Sequence, residues 1–141
     1  MSDQKPAPTR PLPSLKELDT QPFWAATAEE KLTYTVCRDC GAVVFYPRAH
    51  CTSCGSHNLA WRESAGFGEV YTFSVVRQSY HPFFRTVAPY AVAWIDLDEG
   101  PRLLSNVIDV DVDALTIGQR VQVHWEHHEG LAIPLFRPTT S

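Results

Sequence analysis

Two tight cysteine pairs constrain this chain more than any other feature. Cys37 and Cys40 form one pair and Cys51 and Cys54 the other, and these are all four cysteines in 141 residues. Each pair sits in a knuckle that ends on glycine: Cys37-Arg38-Asp39-Cys40-Gly41 and Cys51-Thr52-Ser53-Cys54-Gly55. A Cys-x2-Cys turn aims two thiolates at one centre, and the glycine accepts a positive φ, so the backbone wraps closely without a Cβ clash. Four sulfurs suit the tetrahedral preference of Zn²⁺. The ten residues between Cys40 and Cys51 are fewer than paired sites usually leave. They still hold a short hairpin, with 42–46 as one strand. The pattern reads as a zinc ribbon.

A closed four-sulfur shell leaves no open position for a water, so the predicted ion is structural rather than catalytic. Iron in a rubredoxin-like centre is the main competitor, because knuckles of this kind also hold iron. Disulfides are the weakest reading. The first twenty residues are polar and proline-rich and lack the apolar segment of a signal peptide, which predicts a cytoplasmic protein whose thiols stay reduced. A ribbon of some thirty residues buries too little apolar surface to fold unaided. Structural zinc contributes on the order of 10 kcal/mol to such a unit.

Charge argues against the role most often paired with ribbons. The net charge is −4, and three lysines and nine arginines are spread along the chain rather than clustered. Nucleic-acid binding relies on a basic face that releases counterions. A single-strand binder that stacks bases on Tyr71, Phe73 and Trp94 is the alternative function, and nucleic acid is the less expected partner. No apolar run is long enough to cross a bilayer.

The expected organisation has four parts. Residues 1–19, with Pro6, Pro8, Pro11 and Pro13, read as a flexible arm, of which 14–19 is able to form one helical turn. Residues 20–30 read as a helix, with Pro22 suited to its first turn. Residues 31–62 hold the ribbon. Residues 63–138 alternate as strands at 67–76, 90–97, 102–108, 120–125 and 131–136, separated by turn residues. Five strands with one long connection at 77–89 predict a small closed barrel of the OB type. The fold class is mainly β.

Outside the cysteines, no residue pattern forms an obvious catalytic set. His50 and His57 flank the second knuckle. His124, Glu126, His127, His128 and Glu129 crowd one strand end, where a solvated hairpin tip is favoured over a metal or acid–base cluster. Asp109, Asp111 and Asp113 lack the glycine and distal glutamate of a calcium loop. Arg102 is expected to pair with Asp98 or Glu99. The candidate ligand or partner residues are Phe23 and Trp24 on the helix, and Arg77, Tyr80, His81, Phe83, Phe84 and Arg85 on the long connection. Arginines and aromatics together on a loop are what a binding surface uses, although Phe83 and Phe84 suit equally well as a cap on one barrel end.

Several of these segments together carry a family pattern. Phe23-Trp24, Leu32, Cys37-Arg-Asp-Cys-Gly and Phe45-x-Pro47-Arg48 before Cys51-x-x-Cys54 resemble the opening of the DUF35 family. The run from Gly66 to Val76, Pro89-Tyr90, Leu97-Asp-Glu-Gly-Pro-Arg102-Leu103, Ile117-Gly118 and Phe136-Arg137-Pro138 resemble its second half. Thr52 stands where the family often has proline. The resemblance covers residues 20–138 and implies a rubredoxin-type zinc ribbon joined to an OB-fold. It also implies a non-catalytic accessory or scaffold subunit in a hetero-oligomer with a thiolase-like enzyme acting on acyl-CoA thioesters. Family members accompany steroid side-chain aldolases of the lipid-transfer thiolase type, or bridge a thiolase and a hydroxymethylglutaryl-CoA synthase. Some are fused to a hydratase domain, for which 141 residues are too few. The arginine excess over lysine leans toward the aldolase partner.

Overall fold

The computed structural model describes residues 9–139. The expected flexible arm therefore lies partly outside the described residues, together with Pro6 and Pro8. Residues 15–20 turn twice without forming a helix. Helix α1, Gln21–Thr27, begins where Pro22 fits the first turn. Phe23 and Thr27, one helical turn apart on one face, are both buried. That face packs on the body through a buried hydrogen bond: the Ala132 N–H donates to Thr27 Oγ1 at 3.1 Å.

The chain then forms a three-stranded antiparallel sheet. Strand β1 (Leu32–Cys37) lies between the two-residue β2 (Val43–Val44) and β3 (Leu59–Ser64). The rest of the fold is a closed barrel. Its strands are β4 (Phe67–Val76), β5 (Tyr90–Leu97), β6 (Arg102–Val107), β7 (Arg120–His128) and β8 (Leu131–Pro138), in the order β4-β5-β6-β8-β7. Mainly β with an N-terminal helix, a ribbon and a five-stranded barrel is what the sequence predicts.

Closure follows from local chemistry. The β4–β5 register slips between Val70 and Thr72, and a bulge of this kind bends a strand and increases its twist. β4 pairs with β5 along 68–76 and, on its other edge, with β7 at 67–69. Gly68 is required at that crowded corner, because a Cβ there would collide with the Asp96 carbonyl oxygen. The last seam, β6 to β8, is parallel and rests on one residue pair, Val107 with Phe136. Pro134 lies along it, and Ser105 Oγ donates to the Pro134 carbonyl at 2.7 Å, so a side chain replaces a ladder bond there. Val70, Ile95, Val121 and Phe136 fill the interior.

The long connection departs from the expected loop. It contains a short helix, α2 (Pro82–Val87), before a cis Ala88–Pro89 bond. Glu99 joins the two units: Ser64 Oγ donates to its Oε1 at 2.7 Å and the Ala65 N–H to its Oε2 at 2.8 Å. Arg102 pairs instead with Asp96, Nε to Oδ1 at 2.6 Å, while Asp98 is held by Arg120. The cause is the register. Arg102 stands directly opposite Asp96 across β5 and β6, whereas Asp98 and Glu99 lie in the turn and face other elements.

Candidate functional site

The four cysteines converge. Cys37 ends β1, and the knuckles lead their partners back to it, so that all four Sγ atoms lie within 4.8 Å of one another. The two knuckles are near copies. Gly41 (φ 77°) donates its N–H to the Cys37 carbonyl at 2.8 Å, and Gly55 (φ 79°) donates to the Cys51 carbonyl at 3.0 Å. Cys37 and Cys51 are buried, and Cys40 and Cys54 face outward. Sγ–Sγ separations of 3.6 Å join Cys37 to Cys54 and Cys40 to Cys51. A disulfide needs about 2.05 Å. Tetrahedral bonding at about 2.3 Å per sulfur places the sulfurs ~3.8 Å apart. The donor set therefore fits a metal ion and not a pair of disulfides.

The surrounding amides favour anionic sulfur. The Cys51 thiol is pulled down to about 6, first by the backbone N–H of Cys54 and then by that of Ser53, which lies 3.3 Å from its sulfur. Among sulfurs this close the negative charge cannot be shared evenly, and the Cys40 thiol is pushed up to about 12. There the Ala42 N–H is the largest influence and acts downward, but hydrogen bonding to Cys51, burial, and the neighbouring Cys54 and Cys37 thiols all act upward and prevail. A dication removes that conflict. Between the knuckles, Ser56 Oγ donates to Asp39, and Asn58 Nδ2 donates to the other Asp39 oxygen at 3.4 Å. His57 Nδ1 lies 3.0 Å from the Ala49 carbonyl, outside the sulfur cluster.

The other candidates do not form one site. Phe23 is 6% exposed and packs with the barrel core, at the floor of an apolar groove. Half-buried Trp24 stacks edge-on against it at 4.9 Å. With Phe45, Tyr46 and Leu104, Trp24 lines this apolar groove of about 300 Å³ over the β6–β8 seam. Phe83 and Phe84 line a different cavity of about 480 Å³ at the barrel mouth, with Phe84 5.5 Å from Tyr90. His81 caps α2, its Nδ1 accepting the Phe83 N–H at 3.1 Å. Arg77 pairs with Asp113 at 2.8 Å, and Arg85 donates to the Ser79 carbonyl at 2.9 Å. Tyr80 stands 95% exposed.

One residue of the mouth escaped the sequence reading. Arg10 donates from Nε to Glu126 Oε1 at 2.7 Å, and its guanidinium lies 4.7 Å from the Phe83 ring centre. Nothing local in a proline-rich arm signals a partner 116 positions away. The strand-end cluster is thereby resolved. Glu126 holds Arg10 and His128 (2.7 Å), and His127 faces Glu30. Partial burial raises the Glu126 carboxyl, but Arg10 and His128 outweigh it and hold it below the usual carboxylate range. Among the described residues the four cysteines are the one grouping of three or more His, Cys, Asp or Glu side chains suited to a metal. Every histidine side-chain hydrogen bond there goes to a backbone group or a carboxylate, none to a hydroxyl or thiol. No helix in that range is long and apolar enough to cross a membrane.

Comparison with known proteins agrees with this geometry. Residues 24–60 match the family described as "ChsH2, rubredoxin-like zinc ribbon domain", and residues 61–126 match "ChsH2, C-terminal OB-fold domain". A "Probable enoyl-CoA hydratase alpha subunit" of Thermomonospora curvata is 34% identical over 97% of this chain, which spans 42% of that relative's length. A "DUF35 domain-containing scaffold protein" of Methanothermobacter thermautotrophicus is 34% identical over 65% of this chain and 69% of its own. The solved structure "Ltp2-ChsH2(DUF35) aldolase" has a chain that superposes with a TM-score of 0.80 at 31% identity, covering 89% of this chain and 98% of that one. With its paired knuckles, closed barrel and matching relatives, the chain belongs to the DUF35 family, in the group that joins a rubredoxin-like zinc ribbon to an OB-fold.

Proposed function

We propose that this chain is an accessory scaffold subunit of a thiolase-like acyl-CoA enzyme, a carbon–carbon lyase of the steroid side-chain retro-aldolase type. The observation that carries the reading is the superposition on nearly the whole of one chain of the solved structure "Ltp2-ChsH2(DUF35) aldolase". The "scaffold protein" names of its relatives point the same way. All four thiols are committed to one cluster and no histidine bonds a hydroxyl or thiol among the described residues, which suits a subunit that lends shape rather than reacting groups. The bound ion is Zn²⁺, which would be held by Cys37, Cys40, Cys51 and Cys54. It would supply folding energy and no reactive position. The compartment is a reducing cytosol, where such thiols stay free. Residues 31–62 act as the ribbon unit and 63–138 as the barrel unit, and Trp24, Tyr80 and the barrel mouth are the surfaces offered to the partner or its acyl-CoA.

The nucleic-acid alternative keeps Tyr71 and Trp94 exposed, but the basic side chain beside Tyr71 is not unpaired. Tyr71, a candidate stacking platform, is covered by the Arg102 guanidinium at 3.5 Å, and Arg102 is already paired with Asp96. The deciding experiment is reconstitution. The purified chain should neither cleave nor condense acyl-CoA thioesters. Co-expression with a thiolase-like partner protein should give a stable complex and restore turnover. A partner that is fully active and well folded without this chain would refute the proposal.

A further inference from the structure

We infer that the barrel mouth carries a guanidinium-binding cage, built from Glu126, Phe83 and Phe84, which Arg10 of the chain's own arm occupies in cis. The Arg10 contact has the geometry of a recognition site. Nε and Nη2 reach the two Glu126 oxygens at 2.7 and 3.2 Å, a forked pair that a planar guanidinium makes and an ammonium does not. The same guanidinium lies 4.7 Å from the Phe83 centroid and 5.8 Å from that of Phe84, within cation–π range. The Arg10 side chain is only 12% exposed, although it enters from a segment without helix or strand.

The cage belongs to the barrel and not to the arm. Glu126 lies on β7, and its Oε1, which Arg10 Nε reaches, is also 2.7 Å from His128 Nε2 of the same strand. Phe83 and Phe84 lie on α2, and Phe84 rests against Tyr90 of β5. Without Arg10, the charged residues lining the 480 Å³ chamber are Asp109 and Glu126, with His124 beside them and no lysine or second arginine. Such a chamber attracts a cation with a flat apolar face. The arm carries its arginine between Thr9 and the Pro11-Leu12-Pro13 run. Prolines hold such a segment extended at low entropic cost. The ligand class in trans is therefore an arginine on an extended, proline-bearing segment of a partner chain, which displaces the arm and uncovers the chamber. The inference is independent of which enzyme the partner is.

The test uses the full chain with Arg10→Ala, titrated with ethylguanidinium and followed by NMR shifts of Phe83, Phe84 and His128. Saturable binding in the millimolar range is expected, at least tenfold weaker in Arg10→Ala/Glu126→Gln and for ethylammonium, and undetectable in the wild type. The peptide Thr-Arg-Pro-Leu-Pro-Ser, residues 9–14, should bind the Arg10→Ala chain more tightly than ethylguanidinium does. If Arg10→Ala fails to fold, Arg10→Lys takes its place under the same criteria. Equal response to the two cations, or no gain in binding over the wild type, would overturn the cage.

Discussion

The ribbon's own cluster buries Cys37, Val44 and Cys51, with Ala42 and Leu59 packed against it, whereas the barrel cluster buries twelve residues, from Phe23 to Phe136. Two of the three buried residues in that cluster are metal ligands, and buried Leu32 of β1 packs with the barrel cluster instead, so little apolar surface is left to hold the knuckles. Burying one Val or Leu side chain stabilises by about 1.5–3 kcal/mol, far less than the cost of ordering some twenty residues. The barrel needs no such help, because hydrogen-bonded closure and a continuous core act together. The difference teaches that metal and burial are alternative ways of stabilising these two units, and that each should fail separately.

The largest effect should come from the ribbon. Cys51→Ser removes a buried ligand, and the loss should approach the metal's contribution, on the order of 10 kcal/mol. Residues 38–58 should lose ordered NMR signals while the barrel keeps its own. Uniform unfolding of both units would break the comparison. In the barrel, Phe136→Ala should cost about 3–5 kcal/mol, read as a lower urea midpoint for the whole chain. Phe136 has no exposed surface and forms the one pair that closes β6 to β8.

That contrast also explains what the sequence made legible. The knuckles are local and chemically explicit, so four residues sufficed to place the metal site. The strands showed their alternation, and Glu129-Gly130 marked the hairpin between β7 and β8. Helix α2 was hidden because six residues make fewer than two turns, too short for a helical period to stand out from a loop. Phe23 was not separable from Trp24 by residue type, and only the docked face of α1 shows which one is core. Sequence proximity favours the turn carboxylates Asp98 and Glu99 for Arg102, but cross-strand register selects Asp96. The Arg10–Glu126 pair joins opposite ends of the chain, and no window on the sequence contains both.

Smaller effects sharpen the picture where the units meet. Thr27→Val removes the acceptor of the buried Ala132 N–H and should cost about 1–3 kcal/mol. It should loosen α1 from β8, seen as faster amide exchange at Ala132, without disturbing the metal. The smallest effect is pH-dependent. The Glu126 carboxyl is depressed in the folded chain, so its contribution is present above the ordinary glutamate value, about 4.3, and is lost as pH falls through the folded value. Acidification through and below that range should release Arg10, with a loss under about 1 kcal/mol for a partly exposed pair. The Arg10 side-chain Nε–H resonance reports it directly.

Hydrogen exchange read by mass spectrometry, before and after chelation, tests the division of labour most directly. Peptides covering 38–58 should exchange freely once the metal is removed, while those covering β4 to β8 stay protected. Protection of the stripped ribbon, or collapse of the barrel along with it, would contradict a metal-held ribbon on a self-sufficient barrel.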